Sequence, residues 1–228
     1  MPSAPHRCIC LLALLLAILL GGCYAHHART QTIMGYQALH LTKVAVMPFL
    51  AGRDDFSADD LAKADLDCTL AAFCQTTNEL ATGAEDVLTR ETQAALARKL
   101  DGRVLPLAES SASYDRMPKD FSRDSPRQLA MRFGRRMGAD HVILGSVWRF
   151  RERAEDQGAS VGFTVFLVEV DNGRRVWRGR FDKTQQALLE DLRDARGFFR
   201  QGQGWLSATE LARYGIEEVI ASFPQVME

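Results

Sequence analysis

The sequence predicts one mixed α/β domain: a five-stranded sheet of order β-α-β-α-β-β-β-α with its helices mainly on one face. Three observations predict it. Short β-branched runs alternate with capped helical segments through the first half, so strands there can run parallel. The second half holds three strand-like segments in succession, as in an antiparallel meander. The last segment is again a capped amphipathic helix. A chain of 228 residues, 46% hydrophobic and 25% charged, fits one such domain plus a processed leader.

Each element has its own signal. Residues 43–50 read Lys-Val-Ala-Val-Met-Pro-Phe-Leu. This is a buried strand, with Pro48 at its end where a missing backbone donor is tolerated. The stretch 52–80 is acidic and alanine-rich, with Asp54, Asp55, Asp59, Asp60, Asp65 and Asp67. It lacks the glycine and ligand spacing of a calcium loop and reads as a surface insertion. Thr82-Gly83-Ala84-Glu85 has the form of a capping box. Leu88, Ala95, Leu96 and Leu100 then share one side of a helix that Gly102 ends. Residues 103–107 give a short second strand, followed by a polar loop through Met117 and Lys119. At Ser125-Pro126-Arg127-Gln128 a serine caps, a proline fits the first turn and a glutamine reaches back. Leu129, Phe133 and Met137 follow at intervals of four, and Gly138 stops that helix.

The meander comes next. Residues 140–153 begin apolar on both faces and then alternate, with Trp148 and Phe150 against Arg149 and Arg151. A long strand follows over 161–170. Asp171-Asn172-Gly173 marks a hairpin, because Asn-Gly accepts the positive φ of a tight turn. The return strand sets Arg174, Val176, Arg178 and Arg180 against Arg175, Trp177, Gly179 and Phe181. Ser207-Ala208-Thr209-Glu210 caps the last helix, whose apolar side carries Leu211, Ala212, Ile216, Val219, Ile220 and Phe223, with Pro224 beyond.

The amino terminus departs from this pattern. Arg7 is the only charged residue among the first 22, and 9–20 is an apolar run. The run is shorter than the roughly 20 residues of a membrane-spanning helix and matches the roughly 7–15 of a signal-peptide core. Leu20-Gly21-Gly22-Cys23 follows and resembles the bacterial lipobox, in which small residues admit the peptidase and the thiol receives diacylglycerol. The resemblance implies a signal peptide over 1–22, cleavage between Gly22 and Cys23, and acyl chains on Cys23 as the covalent lipid. With Tyr24 rather than Asp behind the cysteine, it implies the periplasmic face of the outer membrane. Residues 23–40 then form the lipidated cysteine and a short tether, some 17 residues that reach at most about 60 Å. The domain proper is 41–228, with 52–80 as its insertion.

Cys8 and Cys10 leave with such a leader. Cys68 and Cys74 would remain in an oxidising compartment, where a disulfide can persist. Six positions apart, they need a local loop to bridge, and the bridge would stabilise by roughly 2 kcal/mol. The alternative is two buried thiols. No second cysteine pair and no histidine stands at ligand spacing, so no metal is expected. The 28 basic and 29 acidic side chains nearly cancel, which gives no general attraction to nucleic acid.

Val44-Ala45-Val46-Met47-Pro48-Phe49, then Gly138-Ala139-Asp140-His141-Val142-Ile143-Leu144-Gly145-Ser146-Val147, then Asp171-Asn172-Gly173 with Val176-Trp177, occur in an order that resembles a group of envelope proteins. The group includes the curli-secretion lipoproteins, the lipoprotein activators of peptidoglycan synthases and the amino-terminal domain of the Tol-system translocation protein. Their shared fold is similar to the anticodon-binding domain of tRNA synthetases. The resemblance spans 41–223 in topology and implies a component of a secretion or peptidoglycan-synthesis system. Two features depart from it. The insertion lacks the alternating strands of roughly 9–11 residues that a membrane pore requires. The tether is shorter than the long arm of the synthase activators.

No Gly-x-Ser-x-Gly elbow, phosphate-binding Gly-Lys-Ser/Thr loop or His-Glu-x-x-His occurs, so no enzyme and no cofactor beyond the Cys23 lipid is expected. Ser146 lies in a strand pattern, His141 opens a buried strand, and His26 and His27 belong to the tether. Asp182, Glu190 and Asp191 read as a polar loop or helix start. Arg149, Arg151, Arg174, Arg178 and Arg180 are the one notable group. On an open sheet face they could hold phosphate or carboxylate groups of lipopolysaccharide, cell wall or a protein partner. The bland alternative is a solvated face with acidic neighbours. A second candidate surface, 198–205, carries aromatics and glycines suited to closing over the sheet. Together these features predict a lipid-anchored, non-catalytic binding or assembly module with an envelope protein or glycan as partner. A small anionic ligand on the arginines is the alternative.

Overall fold

Three long antiparallel strands form the middle of the sheet, and the rest of the chain is arranged around them. The computed structural model describes residues 28–32, 38–52, 66–74, 80–154, 157–185 and 206–226. In chain order the elements are β1 (Ala28–Thr32), β2 (Ala38–Leu39), β3 (Val44–Val46), β4 (Leu50–Ala51), α1 (Leu70–Phe73), α2 (Ala84–Lys99), α3 (Leu107–Asp115), α4 (Pro126–Met137), β5 (His141–Arg151), β6 (Ser160–Glu169), β7 (Arg175–Thr184), α5 (Ala208–Ala221) and β8 (Gln225–Val226). All lie within one compact unit, 27–185 with 205–228.

The main sheet runs β1-β7-β6-β5-β3, and β4 also pairs with β5. β5, β6 and β7 are antiparallel, while β3 and β4 run parallel to β5. Pro48 separates β3 from β4, as its missing donor requires. Backbone bonds from Met47 N to Ile143 O (2.9 Å) and Gly52 N to Val147 O (2.8 Å) keep the interrupted strand alongside β5. The sheet is therefore mixed and five strands wide, as predicted.

Its fifth strand is not the expected one. The segment 103–107 supplies only a single bridge, Val104 to Val44, before α3 begins at Leu107. The fifth strand is β1, drawn from the stretch expected to be tether. It pairs antiparallel with β7, Ala28 opposite Phe181 and Thr32 opposite Trp177. Its sequence, Ala-Arg-Thr-Gln-Thr, has no apolar period. An edge strand is held through backbone hydrogen bonds, so it needs none. The same stretch also supplies β2, which pairs parallel with β8.

Helices cover both faces of the sheet, which corrects the expectation of one. Alternate β5 residues point into two separate cores. Ile143, Val147 and Phe150 join Leu88 and Leu96 of α2 and Leu211, Ile216 and Val219 of α5. Val142 and Leu144 join Leu129, Ala130 and Phe133 of α4, with Leu70 and Phe73 of α1. The single polar face of β7 suggested one-sided cover. β5 and β6, however, are apolar on both sides and need cover on both.

The capping signals mostly hold. Ser125 Oγ accepts from Gln128 N (3.2 Å) while Gln128 Oε1 accepts from Ser125 N (3.0 Å), with Pro126 in the first turn of α4. Ser207 and Glu210 form the same reciprocal pair at α5. At α2 the expected box is absent. Gly83 is the cap residue at φ 83°, with no side-chain bond, so Thr82 stands one residue too early. The serine-rich α3 reads as loop because serines compete for the backbone. Here Ser110 and Ser113 are buried. Gly134 lets α4 close on the sheet, since a Cβ there would meet Val170 Cγ2 at 2.3 Å and Val142 Cγ2 at 2.7 Å.

Candidate functional site

The structure brings three of the five predicted arginines together. Pairing of Phe166 with Arg178, Thr164 with Arg180 and Gly162 with Asp182 fixes their places on β7. A bulge in β5 between Val147 and Arg149 swings Arg149 toward the same group. Arg149 Nη1 donates to Asp182 Oδ1 at 2.7 Å, and Arg180 Nη2 donates to Asp182 Oδ2 at 3.0 Å. Two guanidinium groups thus share one carboxylate. The Arg180 guanidinium lies 4.8 Å from the ring centre of Trp148, and that of Arg178 lies 5.8 Å from Phe166. Gly162 leaves room for the Trp148 indole, because a Cβ there would stand 2.4 Å from its Nε1.

This group is closed rather than open. Arg178 is only 2% exposed. Charges so far out of water persist only when countered and hydrogen-bonded. The arrangement therefore acts as an internal polar layer on the face of the Phe166 core. Arg151 stands at the end of β5, opposite Ser160. Arg174 falls outside the group. A second bulge, where Leu167 faces Trp177 but Val168 faces Arg175, breaks the expected alternation. Arg174 instead pairs with Glu169 at 3.1 Å beside the hairpin.

The other candidates are placed as follows. Gly22, Cys23, His26, His27, Glu190, Asp191 and the 198–205 segment lie outside the described residues, as does most of the acidic insertion. Cys68 and Cys74 stand on either side of α1, both half-buried. The Cys74 thiol is pushed up to about 11, first by burial and then by its neighbour Cys68. Ser146 is buried inside β5, and His141 sits with Nδ1 3.3 Å from Asp140 Oδ2 in an equally buried strand start. Among the described residues, no group of three or more potential metal ligands occurs. No described helix is long and apolar enough to cross a membrane.

Sequence reading missed a second arginine group. Arg123, Asp124, Gln128, Met131, Arg132 and Arg135 line a cleft of about 460 Å³ between α4 and the loop before it. Gln128, Arg132 and Arg135 follow the i, i+4, i+7 rule for one helix face. The signal lies in that spacing, but the apolar side at Leu129, Phe133 and Met137 is the stronger pattern. Arg132 donates to Asp124 Oδ1 (3.0 Å) and Oδ2 (2.6 Å) and to Pro118 O (3.0 Å). The Arg132 hydrogen bonds, with the backbone N–H of Asp120, hold the Asp124 carboxyl down at about 2. Asp120 accepts from Ser122 N and Oγ, and Leu70 N and Ala71 N of α1 donate to Asp124 O and Phe121 O. The cleft wall is thus tied down at both ends. Phe121 on this loop is half exposed.

No protein-family model matches the chain, and no curated protein matches it in sequence. Among solved structures, three similar chains are the following. The PelC dodecamer from Paraburkholderia phytofirmans is 16% identical at a TM-score of 0.47, over 87% of this chain and 96% of that one. The LpoB C-terminal domain from Salmonella enterica is 17% identical at 0.39, over 65% and 89%. Lipoprotein GNA1162 from Neisseria meningitidis is 13% identical at 0.40, over 72% and 99%.

Proposed function

We propose that the chain is a lipid-anchored, non-catalytic binding or assembly module of the cell envelope that works close against its membrane. The observation that carries this is the start of the fold. β1 begins at Ala28, five positions after Cys23. Five residues reach at most about 18 Å, against about 60 Å for the tether read from sequence. With acyl chains on Cys23, the domain is held at the membrane surface rather than extended from it. Each buried methylene of those chains contributes about 0.8 kcal/mol to that hold.

The apolar leader, the small residues before Cys23 and Tyr24 after it support the periplasmic face of the outer membrane. A partner is then an envelope protein or glycan within reach of that surface. The engagement of Arg149 and Arg180 by Asp182 speaks against those sheet arginines as its docking site. The test is the mass of the mature protein extracted from membranes. Acylation at Cys23, and its loss with accumulation of precursor in Cys23→Ala, is the expected result. A mature chain with an unmodified Cys23 would end this reading.

A further inference from the structure

We propose that the cleft between α4 and its preceding loop binds a phosphate group carried on a small polyol or sugar. The donors there outnumber the acceptors available to them. Its lining holds three guanidinium groups and one carboxylate, and that carboxylate is already engaged by Arg132 through two hydrogen bonds. Arg135 has no acidic partner among the described residues. Arg123 reaches only Asp120, at 3.8 Å, with its side chain 86% exposed. Asp120 is itself occupied by the Ser122 backbone and hydroxyl. Gln128 spends its Oε1 on the Ser125 backbone, which leaves its amide N–H groups as further donors.

One wall of the cleft is held in place before any ligand arrives. Asp124 and the Pro118 carbonyl hold the Arg132 guanidinium in place as one wall of the cleft, which leaves Arg123 and Arg135 as the groups that offer charge to a ligand. The planar guanidinium groups of Arg123 and Arg135 match the oxygens of a phosphate better than a point charge does. Met131 gives the cleft one apolar side. The volume of about 460 Å³ exceeds what a bare phosphate fills and lies within the range of small-molecule sites.

A competing account is that last-turn arginines only offset the negative end of the α4 dipole. Arg136 provides the internal control. It occupies the same last turn as Arg135 and is not among the cleft residues. The phosphate could belong to a free sugar or glycerol phosphate, or to a phospholipid headgroup. The site does not depend on the Cys23 anchor.

The experiment titrates the mature protein, in nonionic detergent, with glycerol 3-phosphate by calorimetry, with glycerol as the blank. A parallel arm compares bicelles containing phosphatidylglycerol with bicelles of phosphatidylcholine alone. Saturable binding in either arm that weakens about tenfold or more in Arg123→Glu and Arg135→Glu, but little in Arg136→Glu, is expected. Binding in the first arm assigns the site to a soluble phosphate, and binding in the second arm alone assigns it to a headgroup. All three positions are exposed, and unchanged thermal unfolding of the variants separates lost binding from lost fold. No binding in both arms, or equal weakening by Arg136→Glu, would overturn the proposal.

Discussion

The arginines of the sheet and those of α4 are the same residue in the same domain, yet they carry opposite consequences. On the sheet, Arg149 and Arg180 converge on Asp182 while Arg178 lies buried over Phe166. On α4, Arg127 pairs with Asp67 and Arg132 with Asp124, while Arg135 projects from the last turn without a close acid among the described residues. What separates the two groups is the counter-charge built beside them and the water removed around them. In the first case the charge belongs to the fold. In the second it is left available to a ligand.

The largest effect should come from the shared carboxylate. Asp182→Asn leaves Arg149 and Arg180, both mostly buried, without that counter-charge. A loss of about 2 kcal/mol in urea unfolding is expected, below the value for a fully buried pair because some solvent remains. If Asp182→Asn costs nothing, the sheet arginines are not held by Asp182 and the contrast with α4 fails.

Cys74 sharpens the comparison from the other side, because α1 braces the loop that walls the α4 cleft. With its thiol at about 11 rather than 9.0, the thiolate fraction near neutral pH is about a hundredfold lower than for an ordinary cysteine. Slow alkylation that rises tenfold per pH unit up to about 11 is the expected profile. A Cys74 that stays unlabelled after unfolding without reductant would instead reveal the bridge to Cys68 that the sequence predicts.

How legible these two groups were depends on what kind of order each obeys. The caps at Ser125 and Ser207 are local chemistry and could be read directly, as could the turn at Asn172-Gly173, where Gly173 takes φ 70°. Gly83 could not, because a glycine cap leaves no side-chain signature. β1 was invisible to a search for apolar period because its sequence has none, and its pairing with β7 runs through the backbone. The sheet arginines were visible as alternation. The bulge that expels Arg174, the cross-strand reach of Arg149 to Asp182 and the covering that buries Arg178 are tertiary facts with no local trace. On α4 the reverse holds. The helical spacing of Gln128, Arg132 and Arg135 was in the sequence, but the loop that turns it into a cleft was not.

Asp124 provides a smaller and pH-dependent test. Its folded carboxyl lies near 2, below the ordinary 3.8, because Arg132 and the Asp120 amide stabilise the charged form. A lowered value adds stability that is complete above the unfolded value of about 3.9 and disappears as pH falls toward 2. Asp124→Asn should therefore be less stable than the native chain by about 1 kcal/mol at pH 6, after allowance for the partly exposed Arg132, and the two should converge near pH 2. Equal stability at both pH values would mean that Arg132 is not fixed by Asp124, and the fixed wall of the cleft would be lost with it.

The smallest effect is also the most discriminating. Arg135→Glu and Arg136→Glu each put a negative charge at the negative end of the α4 dipole and so should cost about 0.5 kcal/mol or less at exposed positions. Neither change removes a buried contact, so thermal unfolding of both should stay within a few degrees of the native protein. If Arg135→Glu destabilises as much as Asp182→Asn, Arg135 is structural after all, and the distinction between arginines that hold the fold and arginines offered to a ligand disappears. If both stay near zero while Asp182→Asn does not, the same side chain has been put to two uses, and the presence or absence of a neighbouring acid has decided which.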